Sequence, residues 1–194
     1  MADNEPQPGE GLTYSDNISL SWKPADHDLD QTHLAMVSDS NEAFLRAVAI
    51  LGDGWPGKEP PESGSSLGAE VARLDLKLNL VLDLVATLVY RELDIPEARA
   101  VKVSSTGVAW RGDAVPAPGE QVFLELYIQR GLPKPLCCYG EVVTSPEDYA
   151  AGIARARFIG LSGSAHDWLD KLIFRHHRRE VAFRRAQDQE ASNS

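Results

Sequence analysis

LGAEVARLDLKLNLVLDLVATLVYRE, residues 67–92, is the stretch on which the reading of the whole chain turns. Leu67, Val71, Leu74, Leu78, Val81, Val85 and Leu88 follow one another at alternating steps of four and three, and only Glu92 breaks the run. This heptad seam predicts one long helix with an apolar edge made for association. Leu82, Leu84 and Val89 occupy flanking heptad positions, so the stripe is wider than a two-stranded coil buries and predicts that more than two helices meet. Val and Leu are mixed at both core positions, which fits no simple rule for strand number. Ser65 and Ser66 can cap the first turn, Glu70 suits the positive end of the helix dipole, and Asp94 and Pro96 end the run. At roughly 1.5 Å per residue the rod is about 40 Å long. The alternative is a helix laid across a sheet inside one subunit.

Around this helix, composition sets limits. The chain has 194 residues, 43% of them hydrophobic, which suits one domain with an appendage or two small domains. No apolar run reaches the length of a membrane span, and the acidic start lacks the basic and apolar parts of a signal peptide, so a cytoplasmic location is expected. The net charge of −10 is concentrated in residues 1–62, which carry 12 Asp and Glu against 3 Lys and Arg. Without a basic surplus, a nucleic-acid polymer is not the expected ligand. Cys137 and Cys138 are adjacent, poor geometry for a disulfide and too few ligands for structural zinc, and are read as strand packing. The five histidines show no metal-ligand spacing, and no metal is expected.

Residues 1–13 read as a disordered acidic tail. Ile18, Leu20 and Trp22 alternate with serines and form a strand closed by Pro24. Helical spacing returns over 29–51, with Ser38 to Ser40 as a break and cap between two helices or a cap within one. Residues 52–66 are a Gly, Pro and Ser linker into the heptad helix, 67–93. From 97 to 160 the period becomes two: Val101 and Val103, Val108 and Trp110, Val122 to Ile128, Tyr139 and Val143, then Ala154, Ala156 and Phe158. Turn signals separate these strands. With the Ile18 strand they make six, and a small closed antiparallel barrel removes the edges an open sheet would expose. Residues 164–186 form a closing helix, capped by Ser164, apolar through Trp168, Leu169, Leu172 and Ile173, and basic beyond Arg175. The fold class expected is mainly β with added helices.

The order of short barrel strands and closing helix, with Lys102, Ser104 and Gly107 in the turn between the first two strands that follow the long helix, resembles the PilZ family. The acidic extension and heptad helix ahead of the barrel resemble its atypical, tetramer-forming subgroup. The resemblance implies a six-stranded antiparallel barrel, self-assembly as a homotetramer, and a role as receptor or adaptor for the bacterial second messenger cyclic di-GMP. It also implies a ligand signature in two parts: an Arg-x-x-x-Arg arm before the barrel, and [Asp or Asn]-x-Ser-x-x-Gly at the strand turn.

Lys102, Ser104 and Gly107 match only the second part, and Lys102 departs from it. An ammonium has three donors and no acceptor, so base reading is lost there. Arg91 and Arg99 precede the barrel strands but are eight apart and cannot form the paired fork. Arg175 and Arg179 have the four-residue step but lie on the closing helix, where a solvated face explains them. No phosphate loop, nucleophile elbow or metal helix is present, and no catalytic residue is assigned. The expectation is a non-catalytic PilZ-type adaptor without cofactor, with cyclic di-GMP a weak ligand or none, and with an unidentified signalling protein as partner. The alternative is a true cyclic di-GMP receptor using Lys102, Ser104, Arg91, Arg99, Arg175 or Arg179 on phosphate. A third reading has Arg178, Arg179, Arg184 and Arg185 docking an acidic partner or an anionic surface.

Overall fold

The computed structural model describes residues 12–25, 30–54, 66–129 and 132–192. Ten elements follow in chain order: β1 (Thr13–Pro24), α1 (Gln31–Gly54), α2 (Ser66–Glu92), β2 (Ala98–Ser104), β3 (Gly107–Arg111), β4 (Gln121–Leu126), β5 (Leu136–Val142), α3 (Pro146–Ala150), β6 (Ile153–Ile159) and α4 (Gly163–Ser192). The six strands close an antiparallel barrel in the order β1-β2-β3-β6-β5-β4. Closure depends on the length of β1. Its first half pairs with β2, from Thr13 opposite Ser104 to Ser19 opposite Ala98, and its second half pairs with β4, from Leu20 opposite Leu126 to Pro24 opposite Val122.

Alternation fills the barrel. Tyr14, Ile18 and Leu20 of β1, Val101 and Val103 of β2, Val108 and Trp110 of β3, Val122, Leu124 and Leu126 of β4, and Ala154, Ala156 and Phe158 of β6 all point inward and are buried. In β5 the inward residues are Leu136, Cys138, Gly140 and Val142, so Tyr139 and Val143, expected from the sequence as the marked face, point outward. Gly140 has to be small: a Cβ there would come within 3.2 Å of Ala156 Cβ and Leu124 Cδ1.

α4 plugs one end of the barrel with Leu169, Leu172 and Ile173, all in the core cluster. Burying three such side chains stabilises the contact by about 5–9 kcal/mol before entropy is counted. The helix starts one residue earlier than its apolar pattern suggests. Ser162, not Ser164, holds its first turn, its Oγ accepting from Ala165 N at 3.1 Å. α1 lies against α4 and β5. Its apolar residues Phe44, Leu45 and Val48 are buried, and Asn41 exchanges two hydrogen bonds with the Cys137 backbone, donating to its carbonyl at 2.5 Å and accepting from its N–H at 3.1 Å.

Ser38 to Ser40 do not break α1, which is one helix. Ser38 is buried, and its Oγ accepts from Ser162 N at 2.8 Å, a tertiary contact in place of a cap. Thr13 belongs to β1 rather than to the tail expected over residues 1–13, of which 1–11 lie outside the described residues. Residues 52–54 continue α1 and Ser66 opens α2, while 55–65 of the expected linker also lie outside the described residues. α4 runs to Ser192, past the expected end at 186.

Candidate functional site

Two places carry the functional reading. The first is the β2–β3 hairpin. Val103 lies opposite Val108 and Lys102 opposite Ala109, which leaves Ser105 and Thr106 at the tip. Ser104 Oγ accepts from Gly107 N at 3.1 Å, and its hydroxyl has Gly107 O at 3.1 Å and Thr106 Oγ1 at 3.2 Å as partners. Ser104 is also buried, so its hydroxyl closes the turn and is not presented outward. Gly107 is not among the described glycines with positive φ, which are Gly119, Gly152 and Gly160. A left-handed backbone conformation is therefore not the reason for a glycine at 107. Lys102 is exposed on the outer face, between Ser15 of β1 and Ala109 of β3. Arg155 occupies the same outward row beyond Ala109, and its Nε donates to Asp148 Oδ2 at 2.8 Å.

The arginines do not gather around that turn. Arg99 is the second residue of β2, five residues from Ser104, about 16 Å along the strand. Its guanidinium lies against the chain at Gly112, where an added Cβ would meet Arg99 Nη1 at 3.0 Å. The Arg91 side chain lies outside the described residues. Arg175 Nη1 donates to Ala49 O at 3.3 Å and so ties α4 to α1. Arg179 is exposed one turn further on.

Sequence order placed this arginine turn away from the motif, but the fold brings it close. His176, between the two arginines, stacks on Tyr14 with ring centroids 4.5 Å apart and planes 16° apart. Tyr14 pairs with Val103, the residue before Ser104. Burial holds the His176 imidazole below its ordinary pKa, with Arg179 and Arg175 adding to the effect and Asp16 opposing it. The Tyr14 hydroxyl is pushed up by the same burial. Only the period of β1, with Tyr14 in phase with Ile18 and Leu20, hinted that Tyr14 faces the core.

The second place is α2. Ala69 to Glu92 contains no Gly, Pro or long β-branched run, so helix propensity and pattern agree. α2 packs along its length against no other element among the described residues. One side touches its own subunit, where Tyr90 Oη donates to Leu132 O at 3.2 Å and Ala86 is buried nearby. The seam is turned elsewhere. Val71, Leu74, Leu78, Val81, Val85 and Leu88 are between 49% and 62% exposed, and the Leu67 side chain lies outside the described residues. A seam that packed within one subunit would be covered, so the intramolecular alternative does not hold in this fold. Leu76 and Leu80 are equally bare and were not part of the seam reading. The strict Leu alternation over residues 74–84 was their signal.

Among the described residues there is no cluster of His, Cys, Asp and Glu able to hold a metal ion, and no helix long and apolar enough to cross a membrane. The family model of the atypical PilZ domain, described as a cyclic di-GMP receptor, matches residues 45–186. A comparison with curated proteins finds no match. Among solved structures the chain is similar to a pathogenic protein from Xanthomonas campestris, described as a tetrameric PilZ domain self-assembled via an unusual helical bundle. The TM-score is 0.69 at 23% identity, over 91% of this chain and 93% of that one, a likeness of fold.

Proposed function

The chain belongs to the atypical PilZ domain family, and on that premise we propose that it is a non-catalytic signalling adaptor in a bacterial, cytoplasmic cyclic di-GMP pathway. It assembles through α2 into a homotetramer, acts on a signalling protein by direct contact, and binds the dinucleotide weakly or not at all. The observation that carries this reading is the seam of α2, half bare in the single chain along the whole run from Val71 to Leu88. Six large apolar side chains held in water over several turns favour association. Four copies are supported by the breadth of the apolar band and by the tetramer described for the Xanthomonas campestris protein. Multiplying weak partner contacts through effective concentration is a physical reason for an adaptor to keep such a helix.

Weak nucleotide binding is supported by the state of the signature residues. Lys102 offers donors where a base reader needs an acceptor. Ser104 is engaged in its own turn, and Arg175 is engaged with Ala49. Titration calorimetry of the full chain tests this. No saturable heat with cyclic di-GMP in the micromolar range is expected. A saturable micromolar heat that GTP does not reproduce would overturn the adaptor reading in favour of a receptor working through Lys102, Arg175 and Arg179.

A further inference from the structure

α4 carries a charge reversal beyond the residues that close the barrel. Leu169, Leu172 and Ile173 belong to the core, and after them residues 174–185 hold five arginines against one carboxylate, Glu180. In a chain of net charge −10 this is a strongly basic patch on an acidic protein. Leu169, Leu172 and His176 mark the side of the helix that faces the barrel. At about 100° per residue, Phe174, Arg178 and Arg185 fall on the opposite side. All three are exposed, and the Arg178 guanidinium lies 5.9 Å from the centre of the Phe174 ring, so this outer stripe joins cations to an apolar surface. Arg179, also exposed, lies about 60° round from His176 on the way to that stripe.

What covers the patch follows from where the chain enters the barrel. β1 begins at Thr13, and Tyr14 stacks on His176. The residues before β1 are therefore joined to the barrel beside the turn of α4 at which the arginines begin. Residues 1–11 contain Asp3, Glu5 and Glu10 and no Lys or Arg. Residues 55–65, by comparison, set Lys58 against Glu59 and Glu62. From His176 to Arg185 is about 14 Å along the helix. Counted back from Tyr14 at about 3.4 Å per residue, Glu10 can reach about 14 Å, Glu5 about 31 Å and Asp3 about 37 Å, so all three acids come within range of Arg178, Arg179 and Arg185. Exposed ion pairs are individually weak, and a separate acidic peptide would be held poorly. Joined to β1, the same acids act at an effective concentration on the order of millimolar.

We infer that the acidic segment 1–11 lies along the basic half of its own chain's α4 and covers the stripe of Arg178 and Arg185. The acidic partner that these arginines call for is then, first of all, a part of the same chain. Other polyanions reach the face only when the segment is displaced or its charges are neutralised. This holds whether or not the function proposed above is correct, since it involves neither α2 nor the dinucleotide.

Fluorescence anisotropy of a labelled deca-glutamate peptide at low ionic strength tests the inference on the full chain. Asp3→Asn, Glu5→Gln and Glu10→Gln together should tighten binding of the peptide by about 10-fold or more, because the tethered competitor is lost. Adding Arg178→Gln and Arg185→Gln should abolish that gain. A control that loses the same three charges from exposed positions elsewhere, Asp94→Asn with Glu97→Gln and Asp113→Asn, should bind the peptide as the native chain does. All the substituted positions outside segment 1–11 are exposed, so the barrel has no cause to unfold. Unchanged affinity on neutralising segment 1–11 overturns the inference, the face then being open to a separate acidic partner. An equal gain in the control overturns it by reducing the effect to net charge, and a gain that survives loss of Arg178 and Arg185 overturns it by placing the segment elsewhere. Flotation of the native chain with phosphatidylserine vesicles as complete as that of the neutralised variant also overturns it, in favour of an anionic membrane.

Discussion

Replacing Leu78 and Val85 together by Asp strikes the middle of the α2 seam. Full burial of a Leu or Val is worth about 1.5–3 kcal/mol. The six described seam residues are still 49–62% exposed in the single chain. Each therefore has about 1–1.5 kcal/mol left to gain on association, or about 6–9 kcal/mol per helix. Association itself costs about 4–15 kcal/mol in lost freedom, so the contact needs most of its seam. The double variant removes about a third of that gain and puts two carboxylates into an apolar contact at several kcal/mol each. A loss of about 6 kcal/mol or more weakens association by at least about 10⁴-fold. In the single chain both positions face water, and barrel stability should change by no more than about 0.5 kcal/mol. Light scattering should therefore give one 21.2 kDa copy where the native protein gives about four, with an unchanged thermal melt followed by circular dichroism. Native mass in the variant would refute the seam as the contact, and loss of the melt would mean that it packs inside the subunit.

Three other outcomes follow from the barrel. Ser104→Ala strips Gly107 N of its buried partner and should lower stability by about 1–3 kcal/mol in denaturant unfolding, while leaving any heat of mixing with cyclic di-GMP unchanged. Gly160→Ala forces a side chain onto φ +74° and to within 2.8 Å of Leu34 Cδ2, and should cost about 2 kcal/mol or more, read as a lower melting temperature. His176 is held neutral in the fold, so below about pH 6.5 the unfolded chain binds the extra proton and stability drops as pH falls through the depressed folded value. His176→Phe keeps an aromatic ring over Tyr14 and removes that proton, and its melting temperature between pH 7 and pH 5 should vary less than that of the native protein.

Much of this architecture was legible because large residues kept time. Val122, Leu124 and Leu126, or Ala154, Ala156 and Phe158, alternate so plainly that their inward face is fixed before any partner strand is known. β5 misleads because Gly140 stands on its buried face and does not look like core, whereas the outward Tyr139 does. Ser38 looked like a helix break because its partner, Ser162, is 124 residues away and no local pattern announces it. The same holds for the site. The spacing of Lys102, Ser104 and Gly107 was visible, but the engagement of Ser104 within its own turn was not. Arg175 reads as a solvated charge because its partner, Ala49 O, is 126 residues away. In α2 the four-and-three rhythm overlies a simpler alternation of leucines, whose two-sided outcome depends on the backbone being helical.

The pairing of β1 with both β2 and β4 leaves the sheet without a free margin. An extended peptide therefore has no row of unpaired amides and carbonyls to join as a seventh strand, the route by which many sheet domains recruit their targets. A signalling partner of the kind proposed above would have to recognise side chains: those standing outward on the strands, such as Lys102, Phe123 and Tyr139, or those on the helices. Selectivity of that kind resides in a few surface residues and can be redirected by substitution without disturbing the fold beneath.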